Sequence, residues 1–290
     1  MKVSGFTIAR RAVTFGYPLE ESIRSLLPAV DEYVVAVGDG DDGTWELVAG
    51  IGDPKIRAFR TTWDFSQQQW LMLSDETNKA LAACTGDWAV YLQADEVLHE
   101  AELPALRAAL TRYRDTRVET LSFRYHHFYG SYAMVQDDPR RWYRRATRAL
   151  KTGHDIYAVG DACAFEVRER ERWRRPRRAD LPLHVYHYGW VQPPELMRHR
   201  MHNRDRLFRG EDWQQPTPAE AIEAYDAVGT LQPFRGSHPA VMRNRIAAQT
   251  WRFEPRLAPR PIAWLRRQGW YASWAWSRLQ ERLRSGGTPR

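Results

Sequence analysis

An apolar run that ends in two adjacent carboxylates is the feature that most limits how this chain can fold. Residues 86–96 read GDWAVYLQADE, so a glycine turn leads into an apolar segment that stops at Asp95 and Glu96. A short apolar run of this kind is typical of a buried strand. In an open α/β sheet, ligands bind beyond the carboxyl ends of the strands. We therefore expect both carboxylates at a ligand site, where they are suited to a divalent cation that faces a diphosphate.

The first half of the chain alternates strand and helix patterns, which predicts an α/β sheet. Pro18 marks the first turn of one helix, and Thr44 is expected to cap a second one. Gly86 stops a third helix before the acidic-ended strand. Strands are predicted at 3–8, 33–37, 55–59, 88–92, 120–129, 148–150, 164–168 and 184–188, and helices at 18–30, 44–48, 68–84 and 102–113.

The pattern of the sequence changes after residue 188, where helices replace the alternation. A basic helix is predicted at 194–209, and residues 217–220 (TPAE) form a capping box with proline at the first helical position. Further helices are predicted at 239–253 and at 262–283, the last with an apolar stripe opposite many arginines. We therefore expect an α/β domain at 1–200 and a helical C-terminal extension at 201–290.

Composition places the chain among globular proteins and limits the classes of partner. The 290 residues carry a formal net charge of +7, which suits anionic partners such as nucleoside diphosphates. Cys84 and Cys163 form no CxxC pair, so we expect free thiols in a reducing compartment. Residues 1–12 lack a signal-type apolar segment, and no run reaches the roughly 20 apolar residues of a membrane span. A cytoplasmic protein is expected, without a nucleic-acid partner because no recognised nucleic-acid motif is present.

Four landmarks in the first hundred residues resemble glycosyltransferase family 2 in type and in order. An acidic turn reads DGDDGT at 39–44, and a helix carries TNKA at 77–80. The start of the next strand reads TGDW at 85–88, and that strand ends in QADE at 93–96. The last motif resembles the metal-binding acidic motif of transferases with the GT-A fold. The segments YHHFYGSY (125–132), RRWYRR (140–145) and HYGWV (187–191) look like a bacterial subset of such enzymes.

The resemblance implies an α/β, GT-A-like (Rossmann-like) fold of the nucleotide-diphospho-sugar transferases, followed by the helical extension. It implies an enzyme that moves a sugar from a nucleotide-sugar donor to a glycan or lipid-linked acceptor, such as a cell-envelope polysaccharide. The implied cofactor is a divalent metal, Mn²⁺ or Mg²⁺. By the same resemblance, a carboxylate base would make the transfer inverting.

The same resemblance implies which residues hold the metal and which act as the base. Asp95 matches the family's last aspartate and is the expected metal ligand and catalytic carboxylate, whereas Glu96 would point to the opposite side if the strand continues. His187 is the expected second ligand, with His184 as a rival, because many GT-A enzymes use a histidine late in the domain. The candidate base is Asp161, with Asp155 and Asp137 behind it.

Donor binding is assigned to polar residues of the four landmarks and of the basic segment. Gln93 stands where the family usually has the first carboxylate, and its amide can hydrogen-bond a ribose or sugar hydroxyl without adding charge. The family's base-recognising aspartate falls on Val37 or Gly38, so a nearby aspartate would substitute for it. The candidate donor-binding residues are Asp39, Asp41, Asn78, Lys79, Gln93 and Arg144.

Other motifs permit either a structural or a functional interpretation. His126, His127 and Tyr129 predict either a half-buried strand or a platform for an acceptor sugar. The charged run 168–178 predicts a solvated loop or hairpin. The tryptophans at 264–276 would make peripheral contact with a membrane that holds a lipid-linked acceptor, or pack on the first domain. Three arginines would either neutralise a diphosphate or lie on a solvated face: Arg144, Arg145 and Arg148.

The sequence also permits three alternative interpretations: a nucleotidyltransferase, a non-catalytic binding protein and an inactive transferase. A nucleotidyltransferase can share this fold, but the loop at 9–14 is basic and glycine-poor, whereas such enzymes carry a glycine-rich loop there. A non-catalytic basic binding protein would show strongly salt-dependent binding to polyanions. A degenerate transferase that binds a donor without turnover is the third possibility, because Gln93 replaces a carboxylate.

Overall fold

The structure is a computed structural model of the chain, and it describes most of the first 200 residues. The described residues are 1–65, 69–136, 142–197, 227–228, 231–253 and 256–257. The predicted capping box at 217–220, the predicted helix at 262–283 and the candidate base Asp137 lie outside them. The predicted helix at 194–209 is described only over 194–197, which are helical.

Strands dominate the described residues. The helices are α1 (Leu19–Leu26), α2 (Thr44–Gly50), α3 (Gln69–Ala82), α4 (Leu103–Tyr113) and α5 (Arg243–Ala247), with short 3-10 turns at Leu27–Ala29, Glu100–Glu102 and Ala240–Met242. The strands are β1 (Val3–Ala9), β2 (Glu32–Gly38), β3 (Ile56–Thr61), β4 (Trp88–Tyr91), β5 (Glu96–Leu98), β6 (Thr120–Tyr129), β7 (Ser131–Gln136), β8 (Arg145–Lys151), β9 (Ile156–Val159), β10 (Ala164–Glu169), β11 (Arg172–Arg174), β12 (Arg178–Trp190), β13 (Ala227–Val228), β14 (Leu231–Pro233) and β15 (Arg256–Leu257).

A mixed sheet organises these elements and confirms the predicted α/β class. Strands β3, β2, β1 and β4 are parallel neighbours, and β8 joins β4 in the antiparallel direction. Strand β6 follows β8 antiparallel, and β12 then runs parallel to β6. Because β1, β2 and β4 run in one direction, the segments that follow them lie at the same edge of the sheet. Residues 10–17, 39–44 and 92–95 are thereby brought to that edge.

The central strands are buried on both faces, which explains their continuous apolar sequences. In β2, Tyr33, Val35 and Val37 pack into the core on the side of α1 and α4, whereas Val34 and Ala36 pack into the core on the other side. The alternation follows from the two-residue period of a strand. Such a strand cannot carry exposed polar side chains, so polar residues collect where the strands end.

Two predicted helix starts differ by one position. Pro18 is the N-cap of α1 and precedes its first helical residue. Gly43, with φ of 84°, is the N-cap of α2, so Thr44 is the first helical residue and does not cap the helix. The Thr44 hydroxyl donates to Asp42 Oδ1 at 2.7 Å and accepts from the Ala12 backbone N–H at 2.8 Å. Thr44 therefore joins the loop after β2 to the loop after β1.

The predicted helix at 239–253 is wrong for its second half. Helical structure there is limited to Ala240–Met242 and Arg243–Ala247. The following residues pack as an irregular segment, in which Trp251 Nε1 donates to the Gly130 carbonyl at 2.8 Å. A tertiary contact outweighs local helix preference here. The charged run at 168–178 does form the predicted hairpin, through β10 and β11.

No helix among the described residues is long and apolar enough to cross a membrane.

Candidate active site

The acidic turn after β4 places Asp95 against the last part of β12. The chain leaves β4 at Tyr91, turns through residues 92–95 and enters β5 at Glu96. The Asp95 carbonyl accepts a hydrogen bond from the Tyr188 backbone N–H at 2.8 Å. The Asp95 carboxylate is mostly buried, and the turn is fixed to β12 through its backbone.

His187 is the histidine that the sheet brings to Asp95. The distance from His187 Nε2 to Asp95 Oδ2 is 3.4 Å. The rival His184 lies elsewhere, because its Nδ1 is 3.0 Å from Glu102 Oε1 and its ring stacks on His126 with centroids 4.5 Å apart. Of the two candidates, His187 is the one placed to share a ligand with Asp95.

Gly189 keeps the space between these two side chains open. A methyl group at this position would collide with Asp95 Oδ2 and would lie 2.7 Å from His187 Nε2. The requirement for glycine here comes from space, since the backbone φ is ordinary. The sequence contains the HYGW motif, but only the structure shows that its glycine faces the candidate ligands.

A second histidine lies behind His187 and was not singled out from the sequence as part of the metal site. His127 Nδ1 is 3.0 Å from His187 Nδ1, and His127 Nε2 is 2.9 Å from the Tyr143 carbonyl oxygen. His127 is buried, and burial is the main reason why its pKa falls to about 3. The two histidines meet because β6 and β12 are parallel neighbours that pair His127 with His187. No local sequence signal gives this register.

Glu96 has a structural environment that differs from that of Asp95. Its carboxylate is fully buried and accepts two hydrogen bonds of 2.7 Å from the Arg148 guanidinium. The Tyr125 hydroxyl donates to Glu96 Oε1 at 2.7 Å, and the Gln93 backbone N–H donates to Oε2 at 3.0 Å. Arg148 is fully buried as well. It is therefore not available for a diphosphate, which corrects that interpretation of the arginine cluster.

The other two arginines of the cluster are closer to the surface. Arg145 donates to the Leu181 carbonyl at 2.7 Å, and its Nε is 3.9 Å from Asp180 Oδ2. Arg144 is exposed, so it remains accessible to an anionic ligand. Its assignment to donor binding stays a prediction.

Gln93 contacts the segment that carries the candidate base. Its Nε2 lies 3.7 Å from Cys163 Sγ, and Asp161 Oδ1 accepts from the Cys163 backbone N–H at 3.2 Å. Asp161 is exposed in the turn between β9 and β10. Asp155 is also exposed, in the turn before β9. The structure thus places the Asp161 turn beside the acidic loop, and the role of Asp161 as base stays a prediction.

Asp39 and Asp41, the candidate donor-binding aspartates of the acidic turn after β2, pair with the loop after β1. Arg10 Nε is 3.2 Å from Asp39 Oδ1, and Arg11 Nη2 is 3.7 Å from Asp41 Oδ1. Asp41 is almost fully exposed. Both aspartates lie at the same sheet edge as Asp95, and their assignment to a nucleotide stays a prediction.

The Asn-Lys landmark lies on α3, where its side chains already have partners. Asn78 Nδ2 donates to the Ala158 carbonyl at 3.1 Å, and Asn78 Oδ1 accepts from the Ala158 N–H at 2.7 Å. These bonds attach β9 to α3. Lys79 Nζ is 2.5 Å from Glu76 Oε1, beside a pocket of about 410 Å³. Donor binding by either residue stays a prediction.

Aromatic rings line the other side of His187. The Trp142 and His187 ring centroids are 6.3 Å apart, and Trp142 contacts Trp190 edge to face at 5.4 Å. The Trp190 ring stacks on Tyr129 at 5.6 Å with an interplanar angle of 14°. His126 and His127 take separate environments, since His126 stacks on His184 and His127 is buried beside His187.

The Asp95–His187 pair has the donor atoms of a divalent-cation site. Carboxylate oxygen and neutral imidazole nitrogen bind such ions at about 2.1 Å, so atoms 3.4 Å apart can share one ion. The gap that Gly189 leaves is where an ion would lie. In the described ranges, no group of three or more His, Cys, Asp or Glu side chains is arranged to hold a metal. Beside this pair from the described residues, water or substrate oxygens are suited to complete the coordination of an ion.

Comparison with known proteins gives one family match. The family model of glycosyl transferase family 2 matches residues 17–172, which is just over half of the chain. No curated protein shows a significant match.

Solved structures with a similar arrangement include TarS, a mannosyltransferase and a glucosyl-3-phosphoglycerate synthase. TarS of S. aureus, residues 1–349 in complex with UDP, has a TM-score of 0.43 and 13% identity, and the match covers 78% of this chain and 70% of that chain. The mannosyltransferase PcManGT of Pyrobaculum calidifontis, in complex with GDP-Man and Mn²⁺, has a TM-score of 0.41 and 15% identity over 78% and 68% of the two chains. Glucosyl-3-phosphoglycerate synthase of Mycobacterium tuberculosis has a TM-score of 0.32 and 19% identity over 43% and 44%.

Proposed function

The chain belongs to glycosyl transferase family 2, with a GT-A-like fold, and we propose that it transfers a sugar from a nucleotide-sugar donor to a glycan or lipid-linked acceptor with the help of a divalent cation. The observation that carries the proposal is the Asp95–His187 pair at the carboxyl edge of the parallel strands. Family membership selects glycosyl transfer over nucleotidyl transfer and over non-catalytic binding.

Asp95 and His187 would hold the cation through Asp95 Oδ2 and His187 Nε2. A bound Mn²⁺ or Mg²⁺ would supply positive charge against the departing nucleoside diphosphate. Support comes from the donor atoms, from the gap beside Gly189 and from the Mn²⁺ bound in two of the similar solved enzymes. The protein supplies only this pair of ligands in the described ranges, which suits an ion that is completed by diphosphate oxygens.

The donor would lie along the edge formed by the loops after β1, β2 and β4. Gln93 would hydrogen-bond a sugar or ribose hydroxyl, since its side-chain amide is a neutral donor and acceptor. Arg144 is exposed and would approach the diphosphate as a charge-assisted donor. Similar proteins solved in complex with UDP and with GDP-Man support a nucleoside-diphosphate donor without choosing the base.

Asp161 would accept the proton of the acceptor hydroxyl as that oxygen attacks the anomeric carbon. Its exposed carboxylate lies in a turn that Cys163 connects to Gln93, so Asp161 and the acidic loop after β4 are neighbours. A carboxylate base that promotes direct attack gives inversion at the anomeric carbon. The aromatic group of Trp142, Trp190 and Tyr129 would offer ring faces to the acceptor sugar.

The proposal is tested first by thermal shift of the purified protein. UDP, GDP, CDP and dTDP are each added with and without Mn²⁺, and we expect a rise in Tm for one nucleotide that requires the metal. A rise of this kind identifies the donor class and allows the acceptor to be sought. A folded sample that responds to none of the four nucleotides would contradict nucleotide-sugar transfer.

Two aspartate variants make the screen specific to the proposed site. Asp95→Asn removes a charged ligand with little change in volume, and we expect it to abolish the metal-dependent part of the shift. Asp115→Asn is the matched control, because Asp115 is an exposed aspartate after α4. The control is expected to keep the full shift. Equal responses of both variants would place the metal somewhere other than Asp95.

A further inference from the structure

We propose that His127 is a positioning residue that fixes the tautomer of His187, so that the Nε2 lone pair of His187 points toward Asp95. The inference rests on the proposed function only in assigning that lone pair to the binding of a divalent cation. The hydrogen-bond chain itself runs from the Tyr143 carbonyl through His127 to His187 and can be tested without any substrate.

The first link fixes the proton of His127. His127 Nε2 is 2.9 Å from the Tyr143 carbonyl oxygen, and a carbonyl oxygen can only accept a hydrogen bond. His127 Nε2 therefore carries the hydrogen. In a neutral imidazole only one ring nitrogen is protonated, so His127 Nδ1 presents a lone pair.

The surroundings of His127 favour the neutral ring. Its side chain is buried, and its two nitrogens meet a carbonyl and another imidazole rather than a carboxylate. The ring stacks on Tyr125 with centroids 4.9 Å apart and an interplanar angle of 20°, and it contacts Trp142 at 4.9 Å. A buried charge without a facing counter-charge is costly, so these surroundings keep the His127 ring neutral.

The second link transmits this choice to His187. His127 Nδ1 and His187 Nδ1 are 3.0 Å apart, so one must donate to the other. With a lone pair on His127 Nδ1, the donor is the Nδ1–H of His187. Neutral His187 then has its lone pair on Nε2, 3.4 Å from Asp95 Oδ2. Two acceptor atoms at this distance attract a cation between them, and the opposite tautomer would direct an N–H there instead.

Outer hydrogen bonds of this type are known to orient histidine ligands in metal sites. A partner on the second ring nitrogen fixes both the tautomer and the ring orientation, and its loss typically lowers metal affinity about 10- to 100-fold. Here the partner is itself a histidine, whose own tautomer is set by a backbone carbonyl. This hydrogen-bond chain therefore begins at an uncharged group, the Tyr143 carbonyl.

Nitrogen NMR of the metal-free wild-type protein tests the tautomers directly. With ¹⁵N-labelled histidine at about pH 8, above the usual imidazole pKa, long-range proton–nitrogen spectra report which ring nitrogen is protonated. Signals are assigned with His127→Asn and His187→Gln. We expect His187 protonated at Nδ1 and His127 protonated at Nε2. A His187 protonated at Nε2, or a His127 charged at both nitrogens, would overturn the proposal.

Binding of Mn²⁺ alone, measured by electron paramagnetic resonance, tests the consequence for the site. We expect His127→Phe, which removes the acceptor and keeps a ring, to weaken Mn²⁺ binding about 10- to 100-fold. His127→Asn places an amide oxygen near the position of Nδ1, and we expect it to recover most of the affinity. His126→Phe is the matched control, since the neighbouring His126 contacts His184 rather than His187, and it should bind Mn²⁺ normally.

The outcomes separate this proposal from the proposed function. Wild-type protein that binds no Mn²⁺ would contradict the metal site, while the NMR result on His187 still decides the tautomer. Equal Mn²⁺ affinity in His127→Phe and wild type would overturn the positioning role even if the enzyme is active. Urea denaturation of each variant without metal shows whether a loss of Mn²⁺ affinity is due to unfolding. If His127→Phe is unfolded, the Mn²⁺ affinity of His127→Asn compared with that of wild type tests the positioning role.

Discussion

Asp95 and Glu96 are adjacent in the sequence, yet the structure gives them opposite environments. Glu96 is fully buried and is held by a bidentate pair with Arg148, by the Tyr125 hydroxyl and by a backbone N–H. Asp95 faces the imidazole of His187 across a gap that Gly189 leaves open. Glu96 is neutralised within the protein, whereas Asp95 is directed at the imidazole of His187.

The difference shows how one acidic turn can combine stability and chemistry. A buried carboxylate with a guanidinium and a phenol around it has its lone pairs satisfied, and it fixes the turn between β4 and β5. Burial opposes the charge of Arg148, but the neighbouring Glu96 charge raises the pKa of Arg148, so the guanidinium stays charged. Asp95 is then presented from this fixed turn to the imidazole of His187.

The largest effect is expected on the free energy of unfolding, when the buried ion pair of Glu96 with Arg148 is broken. Arg148→Met leaves Glu96 buried without its counter-charge, and we expect a loss of about 3–5 kcal/mol in the free energy of unfolding, measured with urea. Replacing both residues, as Glu96→Leu with Arg148→Met, should recover much of that loss because no charge remains buried.

An exposed ion pair provides the matched control for Arg148→Met. Glu20 and Arg24 form a surface pair of 2.7 Å on α1. Glu20→Gln should change the free energy of unfolding by less than about 0.5 kcal/mol. If Arg148→Met were as mild as this control, Glu96 would not depend on Arg148 for its charge.

The next largest effect is expected on activity, from the Asp95 side. Asp95→Asn keeps the shape but removes the charge, and we expect kcat/KM with the donor identified by the nucleotide screen to fall about 10²- to 10³-fold. The free energy of unfolding should stay within about 1 kcal/mol of wild type, since the contact of the turn with β12 runs through the Asp95 backbone. If activity survives Asp95→Asn, Asp95 has no catalytic role and is a structural residue like Glu96.

A smaller effect is expected from filling the gap itself. In Gly189→Ala the new methyl group collides with Asp95 Oδ2 and crowds His187 Nε2, so Mn²⁺ binding should weaken about 10- to 100-fold. Gly50→Ala is the control, because a methyl group there meets no atom within 4 Å. We expect the control to bind Mn²⁺ normally. Unchanged affinity in Gly189→Ala would move the cation away from this gap.

The smallest effect concerns a third carboxylate that is satisfied by arginines nearer the surface. Hydrogen bonds from Arg174, with further help from Arg177, lower the pKa of Glu119 from 4.5 to about 2. Because the folded pKa is depressed, the stabilisation is present above about pH 4.5 and is lost as the pH falls toward 2. Both arginines are partly exposed, so we expect about 1 kcal/mol.

The acid titration is measured as the free energy of unfolding against pH for wild type and Glu119→Gln. The variant lacks this carboxylate, so its stability should fall less between pH 4.5 and 2. Parallel curves for the two proteins would show that Glu119 is not among the groups that set acid stability.

Much of the fold could be predicted from the sequence because its strands are buried on both faces. Continuous apolar runs, such as the one before Gly38, can form neither surface strands nor loops, so their position was recognisable. The structure of the segment 239–253 was harder to predict. The helix expected at 239–253 ends early because Trp251 bonds to the backbone of Gly130, and such a contact leaves no local signal.

The candidate site was only partly predictable for a related reason. A strand end with carboxylates identifies Asp95 as a candidate, since polar residues follow buried strands at a ligand edge. The sequence favoured His187 over its rival His184, but it could not show which of the two meets Asp95, because both lie on β12. Nor did it decide whether His127 belongs to a half-buried strand or to a platform for an acceptor sugar. These questions depend on which residues of distant strands lie opposite each other.

The sequence by itself determined the alternating α/β pattern, the acidic end of β4 and the set of residue types from which a site can be built. Only the tertiary structure decided that Arg148 neutralises Glu96, that His187 rather than His184 meets Asp95, and that His127 stands behind it. The physical reason is that polarity and periodicity are local properties of a chain. Partners of a charge or an imidazole are set by the pairing of β6 with β12 and β8, which joins residues far apart in sequence.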